Sequence, residues 1–157
     1  MAPHLLFDIS QLDFDRPMYD AAAIEAVNPH RGHMRLIDAV VYESPDHKHY
    51  AAYHDVRPDA FWVAGHIPGR PLFPGVLMIE AAAQVASFVC LRRLGPQQFM
   101  GFVGVEGVKF RGQVVPGDRF VVLSEEVEFR KRRSVSVAQG VVNGNLVFEA
   151  KIVGMPM

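Results

Sequence analysis

Cysteine is almost absent from this sequence: Cys90 is its single example in 157 residues. One thiol cannot form an intramolecular disulfide, so we predict a reducing, cytoplasmic location. An excess of either charge is also absent, because 16 Lys and Arg residues stand against 17 Asp and Glu residues. The chain therefore lacks the basic balance that nucleic-acid binding usually shows, and we predict a small-molecule substrate and no nucleic-acid partner.

Uninterrupted apolar runs long enough for a membrane span are missing as well. The longest apolar stretch, Val76–Leu91, contains three polar side chains and is followed by two arginines. The short apolar stretch Leu5–Phe7 has no basic flank. We therefore predict neither membrane insertion nor a signal peptide. Internal repeats are not visible, and the length suits one compact domain over residues 1–157.

The order of the secondary-structure signals predicts an α+β fold. Residues 1–30 read as an N-terminal arm with a short helix, Ala21–Val27, which Asp20 caps. One long central helix is predicted over residues 75–94, with Gly95 as its C-cap. Apolar, β-branched segments between turn signals predict mostly antiparallel strands, with Asn143-Gly144 as a type I′ turn before the last one: Met34–Tyr42, Tyr50–Val56, Phe99–Phe110, Phe120–Phe129, Ser134–Val142 and Leu146–Val153.

The long helix is apolar on nearly every side, which an ordinary surface helix is not. We expect a sheet to enclose most of it and a second subunit to cover the rest. At helical spacing, Glu80, Gln84 and Ser87 form one narrow polar seam. Burial should raise the pKa of Glu80, so that it serves as a general acid. The alternative is a structural carboxyl, satisfied by Gln84 or by a partner chain.

A histidine stands in a rigid loop directly before that helix. His66 lies between Gly65 and a Pro-Gly pair, and such mounting suits a general base. Gly75, at the start of the helix, offers a free N–H at the positive end of the helix dipole, where an oxygen gaining negative charge is stabilised. His66, Gly75 and Glu80 are therefore the parts of an acid/base site. The alternative reading of the glycines and prolines is a simple turn.

One motif joins this loop to the helix. It reads Gly65-His66-Ile67-Pro68-Gly69-Arg70-Pro71, then Pro74-Gly75-Val76-Leu77-Met78-Ile79-Glu80-Ala81 and Gln84. It resembles the motif of the 3-hydroxyacyl-[acyl-carrier-protein] dehydratases of the FabZ type. Two further segments resemble the same family, the first before the helix and the second after it: Asn28-Pro29-His30-Arg31 with Leu36-Ile37-Asp38, and Val108-Lys109-Phe110-Arg111 with Val114-Val115-Pro116-Gly117-Asp118. The resemblance covers most of the chain from residue 28 onward.

The resemblance implies a hotdog fold, in which a curled antiparallel sheet wraps around one long central helix. It also implies a homodimer or a trimer of dimers. In this family the sheet continues across two subunits, and each active site takes its histidine from one chain and its acidic residue from the other. No metal and no organic cofactor is implied.

The implied reaction is dehydration of a (3R)-3-hydroxyacyl thioester on acyl carrier protein to the trans-2-enoyl thioester, a step of fatty acid biosynthesis. His66 and Glu80 would be the catalytic pair, the first removing the proton next to the thioester carbonyl and the second protonating the leaving hydroxyl. Gly75, Ile67 and Gln84 would form the substrate-binding set. Within that set, the Gly75 N–H would hold the thioester oxygen, the Ile67 backbone would face the substrate, and Gln84 would orient the carboxyl.

The chain departs from the family pattern at two places. Gly32-His33-Met34-Arg35 stands where the family commonly has Tyr-Pro-Phe-Leu, and that tyrosine often belongs to a flap over the acyl channel. Ile67 replaces the more usual phenylalanine. The related decanoyl-type dehydratase/isomerases have an aspartate at the position of Glu80, which favours the plain dehydratase. Acyl chain-length preference does not follow from these residues.

Other interpretations stay open at this stage. A hotdog thioesterase or CoA-linked hydratase would use Glu80 to activate water, and a non-catalytic hotdog protein would bind acyl chains without turnover. The basic run Arg130–Arg133 is either a solvated loop or part of a docking surface for acidic acyl carrier protein. The seven histidines lack an accompanying cysteine or carboxylate set at ligand spacing, so we predict no metal site.

Overall fold

The computed structural model of the chain describes residues 4–157. The first three residues of the predicted N-terminal arm lie outside the described part. A 3₁₀ turn, Gly32–Met34, separates the first helix from the first strand. The helices and strands follow in chain order as α1 Ala21–Glu25, β1 Ala39–Glu43, β2 His49–Asp55, α2 Gly75–Leu94, β3 Met100–Phe110, β4 Arg119–Arg130, β5 Arg133–Val142 and β6 Asn145–Pro156.

The strands form one antiparallel sheet of six, in the order β1-β2-β4-β5-β6-β3. The sheet curls around α2, which contacts strands from β2 to β6. This arrangement confirms the α+β prediction and the hotdog fold. Asn143 and Gly144 have φ angles of 49° and 78°, as a type I′ turn requires, and they join β5 to β6 at the predicted place.

The region before β1 differs from the prediction. The predicted strand Met34–Tyr42 is wrong in its first half, because strand pairing begins only at Ala39. Residues 34–36 instead bond to a side chain of α2, as described below, so their backbone groups are satisfied outside the sheet. The helix α1 has the predicted Asp20 cap, with Asp20 Oδ1 accepting from the Ala23 N–H at 2.9 Å, but it ends at Glu25 rather than Val27.

Burial in the sheet explains the composition of α2. Ala81 and Val85 are completely buried, and Phe88 is 1% exposed. By length and composition alone this helix would suffice for a membrane span. Most of its apolar part is nevertheless buried within the protein, which is typical of a core helix.

The N-terminal arm covers the outer face of the sheet. Phe7 packs against Tyr42 and Phe14 against Tyr53, with ring centroids 5.3 and 5.9 Å apart. Gln139 of β5 holds the arm through its amide, which accepts from the Leu6 N–H at 2.8 Å and donates to the His4 carbonyl at 3.0 Å. The arm therefore shields apolar residues on the side of the sheet away from α2.

Candidate active site

The loop before α2 holds His66 by both its backbone and its ring. The His66 N–H donates to the Trp62 carbonyl at 2.7 Å, and its carbonyl accepts from the Leu72 N–H at 2.9 Å. The ring Nδ1 lies 2.8 Å from the carbonyl oxygen of Leu72. A carbonyl only accepts, so this bond places the proton on Nδ1 and leaves Nε2 unprotonated in the neutral ring. The side chain is exposed, and its orientation is set for a base that acts through Nε2.

An apolar pocket of about 380 Å³ opens beside this histidine. Its walls are the loop, the first turn of α2 and the end of β3 with the residues that follow: His66, Leu72, Phe73, Gly75, Val76, Met78, Phe110, Gly112, Gln113 and Val114. Gly75 begins the helix, so its N–H is one of the groups that have no acceptor within the helix. The pocket thus combines a base, an apolar wall and a helix N-terminus.

Packing requires a glycine at the start of α2. A Cβ added at Gly75 would lie 2.7 Å from two atoms of the Phe110 ring. Real Cβ atoms do not approach so closely, so a side chain here would displace Phe110. The ring of Phe110 is 53% exposed and also lines the pocket. Because Gly75 has no side chain, the Phe110 ring packs closely against it, and both residues line the pocket at the N-terminus of α2.

Glu80 lies one turn further along α2, and its side chain is 26% exposed. Its Oε1 accepts from Gln84 Nε2 at 2.9 Å and lies 3.3 Å from His30 Nε2. The hydrogen bond from His30 lowers the pKa of Glu80 below its usual 4.5, outweighing the opposing effect of burial, and the bond from Gln84 adds to the lowering. The sequence-based expectation of a raised pKa is therefore wrong for the single chain, because these two donors stabilise the ionised form.

Gln84 is 1% exposed, and both the nitrogen and the oxygen of its side-chain amide form hydrogen bonds. Its Nε2 donates to the Met34 carbonyl at 2.6 Å as well as to Glu80, and its Oε1 accepts from the Leu36 N–H at 2.9 Å. The side chain therefore ties the segment after the 3₁₀ turn to α2 and holds the carboxyl. Its contacts are those of a positioning residue rather than of a group facing a ligand.

The predicted site residues fall into two groups within one chain. His66 and Gly75 line the same pocket, whereas Glu80 and Gln84 do not line it. Ile67 is 47% exposed beside His66 but is also not part of the pocket wall. Val76, at 70% exposure, adds a large apolar side chain to this open side. Within one chain, His66 and Glu80 therefore do not share this pocket, and exposed apolar residues lie at its open side.

Two contacts of the site were not foreseen from the sequence. His30 and Phe110 each lie in a segment that resembles the family, but nothing in their spacing links the first to Glu80 or the second to Gly75. No cluster of three or more potential metal ligands occurs among residues 4–157. His54 Nδ1 lies 3.2 Å from Asp38 Oδ2.

Comparison with known proteins shows the family of this chain. Residues 28–151 match the FabA-like domain family. A 3-hydroxyacyl-[acyl-carrier-protein] dehydratase FabZ from Anaeromyxobacter sp. (strain Fw109-5) is 35% identical over 147 residues, which cover 88% of this chain and 90% of the relative. The FabZ of Erwinia tasmaniensis is 37% identical over 128 residues, covering 78% of this chain and 82% of the relative.

Solved structures support the fold independently. The dehydratase heterocomplex ApeI:P from Xenorhabdus doucetiae aligns with a TM-score of 0.73 at 14% identity, covering 85% of this chain and 90% of the other. Cj0977, a virulence protein of Campylobacter jejuni, aligns with a TM-score of 0.66 at 14% identity, covering 89% and 94%. At 14% identity these structures show only the fold, whereas the relatives at 35% and 37% identity show the family. The chain belongs to the FabA-like family, among the 3-hydroxyacyl-[acyl-carrier-protein] dehydratases of the FabZ type.

Proposed function

We propose that this enzyme dehydrates (3R)-3-hydroxyacyl-acyl carrier protein to trans-2-enoyl-acyl carrier protein in fatty acid biosynthesis, with His66 and Glu80 as its catalytic pair. The observation that carries the assignment of the base is the 2.8 Å bond from His66 Nδ1 to Leu72. It directs the basic Nε2 away from the loop, on the wall of an apolar pocket suited to an acyl chain. No cofactor takes part in the proposed reaction.

The elimination proceeds by two proton movements. His66 Nε2 takes the proton from the carbon next to the thioester carbonyl, and the electron pair of that C–H bond forms the new double bond. The C–O bond at the 3-position breaks, and the departing hydroxyl receives a proton from Glu80 to give water. General acid and base groups of this kind each contribute about 10²- to 10⁴-fold to rate.

Gly75 stabilises the charge that develops on the thioester oxygen. Its N–H lies at the positive end of α2, and an oxygen that becomes partly anionic is favoured there. Within the substrate-binding set, the Ile67 backbone next to His66 faces the substrate, and Gln84 acts by orienting Glu80.

The complete site requires two subunits. The pocket that contains His66 has no acidic lining residue, and its rim carries the exposed apolar side chains of Ile67, Val76 and Phe110. The edge strand β3 adds exposed Phe102 and Val103, which a second copy would cover. We therefore assign Glu80 of each site to the partner of the chain that provides His66, in a homodimer or a trimer of dimers.

The protein partner proposed for the substrate is acyl carrier protein. The exposed hairpin between β4 and β5 carries Arg130, Lys131, Arg132 and Arg133, a basic patch that complements an acidic carrier. We propose a cytoplasmic location for the reaction, consistent with the single buried cysteine.

Incubation with a 3-hydroxyacyl-acyl carrier protein tests the proposal. The intact protein should form the enoyl thioester, and free acid should not accumulate. Release of free acid would identify a thioesterase, turnover confined to CoA thioesters would identify a CoA-linked hydratase, and binding without turnover would identify an acyl-binding protein. Each of these three outcomes would overturn the proposed function.

A further inference from the structure

The segment before β1 brings a histidine onto the acid of the proposed site. His30 Nε2 lies 3.3 Å from Glu80 Oε1, and both side chains are 26% exposed. The other ring nitrogen, Nδ1, is buried without a hydrogen-bond partner among the described residues. The ring therefore makes its polar contact through Nε2, and that contact is with Glu80.

Side chains on either side of His30 hold its segment by donating hydrogen bonds to backbone carbonyl oxygens. Asn28 Nδ2 donates to the Gln84 carbonyl on α2 at 2.9 Å. Arg31 donates to the carbonyl oxygens of Glu25 and Asn28 at 2.7 and 2.8 Å, and to that of His30 itself at 2.8 Å. The Asn28 bond attaches the segment to α2 before His30, the Arg31 bonds hold the segment against the end of α1, and the Gln84 bonds to Met34 and Leu36 attach it to α2 after His30. The distance to Glu80 is therefore set by the surrounding structure.

We propose that His30 is a positioning residue for Glu80 and that the two side chains hold in common the proton delivered to the leaving hydroxyl. The inference rests on the proposed dehydratase function. Before reaction the pair carries one proton, on His30 or on Glu80. When the C–O bond breaks, that proton passes through the carboxyl of Glu80 to the hydroxyl, which leaves a neutral His30 and an ionised Glu80. The proton taken by His66 and the one lost by the pair are then exchanged with solvent.

This arrangement reconciles an acid role with a carboxyl that favours its ionised form. Glu80 alone would be without a proton at neutral pH, because the bonds from His30 and Gln84 stabilise the carboxylate. The 3.3 Å contact lets a proton on His30 Nε2 pass to the carboxyl, so the pair holds a proton that Glu80 alone would lack. The other charged groups of this segment have their own partners: Arg31 binds carbonyl oxygens, and Arg35 contacts Glu25 and Asp38 at 3.0 Å each.

The direct test is a ¹³C NMR titration of the Glu80 carboxyl in the oligomer without substrate. His30→Ala should raise the pKa of Glu80 relative to the unmodified protein, because both the donor and its charge are lost. His30→Gln should give an intermediate pKa, since its amide keeps a donor but carries no charge. His33→Ala, a matched control on the same segment whose ring packs on Phe61 instead, should leave the pKa unchanged. An unchanged Glu80 titration in folded His30→Ala would overturn the proposal.

Kinetics provide the second readout. His30→Ala should lower kcat at neutral pH by roughly 10- to 100-fold, the low end for an acid/base group, with little change in KM. The alkaline limb of its kcat profile should move to lower pH, because the proton then resides on Glu80 alone. A purely structural role would reduce activity without moving that limb and would contradict the proposal. Absence of turnover by the unmodified enzyme would instead refute the dehydratase function, while the NMR titration would still decide the pairing.

Discussion

The ring of His66 donates from Nδ1 to the carbonyl oxygen of Leu72 at 2.8 Å, across a loop that turns back on itself. The same two residues are joined by a backbone bond, Leu72 N–H to His66 carbonyl, at 2.9 Å. Ring and backbone are thus fixed by one pair of residues, so the tautomer and direction of the base do not depend on substrate. In the proposed reaction the loop provides the base, His66, and the N-terminus of α2 provides the N–H that stabilises the thioester oxygen.

Replacing His66 by Ala should reduce dehydration by at least ~100-fold, the low end for loss of a general base. Steady-state kinetics with 3-hydroxyacyl-acyl carrier protein measure the effect. His47→Ala is the control, because that ring is exposed in the β1–β2 turn and lies 2.6 Å from the Glu43 carboxyl, away from the pocket. Equal activities of the His66 and His47 variants would exclude His66 as the base.

Gly75→Ala should reduce kcat/KM on the order of 10-fold through displacement of Phe110, since misplacing groups by about 1 Å costs up to ~10²-fold. The added Cβ would meet the ring at 2.7 Å. The double variant Gly75→Ala with Phe110→Leu relieves that contact and should recover part of the loss, while Phe110→Leu alone serves as its control. A double variant no better than Gly75→Ala would show that the glycine acts by something other than this packing.

Gln84→Leu should lower both the free energy of unfolding and the catalytic activity that depends on Glu80, because Gln84 holds the Glu80 carboxyl. The Leu36 N–H and the Met34 carbonyl would lose their partner, at about 1–3 kcal/mol for each buried group left unsatisfied. Urea unfolding measures the loss of free energy, and the kinetics of the folded variant measure the effect on Glu80. Ser87→Ala, a smaller polar deletion on the same seam, should change the unfolding free energy less. A Gln84→Leu protein as stable as the parent would contradict the contacts assigned to this amide.

Much of the fold follows from local sequence patterns. The strands after α2 and the Asn143-Gly144 turn were predicted to within a few residues, because alternation and turn chemistry are local properties. The prediction of a strand over residues 34–38 is wrong, because Met34 and Leu36 form hydrogen bonds with Gln84 instead of with a neighbouring strand. Gln84 lies on a helix that is distant in the sequence, so a local pattern does not reveal these bonds. The prediction of His66 as the base also rests on a local pattern, because the glycines and prolines that hold its loop are neighbours in the sequence. The His30 contact was not predicted, because only tertiary packing brings that ring to Glu80.

Asp38→Asn should make stability less sensitive to acid. Burial acts to raise the pKa of Asp38, but contacts with His54, the Asp55 N–H and Arg35 outweigh it, so the pKa lies below 3.8. A lowered folded-state pKa contributes stability above the unfolded value of about 3.9, and that contribution is lost as pH falls through the folded value. The unfolding free energy of Asp38→Asn should therefore fall less steeply with pH below about 4.

The matched comparison for Asp38 is Asp59→Asn, which removes the exposed ion pair with Arg57. Its effect should be smaller and should disappear at high salt, because exposed pairs are screened. Urea titrations across the acid range, at low and high ionic strength, give both results. An Asp38→Asn protein with the same acid dependence as the parent would show that the contacts of Asp38 contribute no pH-linked stability.

The most direct measurement for the central claim is complementation between two inactive proteins. His66→Ala and Glu80→Gln are each expected to be nearly inactive, but a mixed dimer would contain one site with both native residues. Random pairing on co-expression in equal amounts should restore about a quarter of the parent dehydration activity, since half of the symmetric dimers are mixed and each keeps one of two sites. Activity no higher than that of either variant alone, in a preparation shown to contain mixed dimers, would contradict a site shared between subunits.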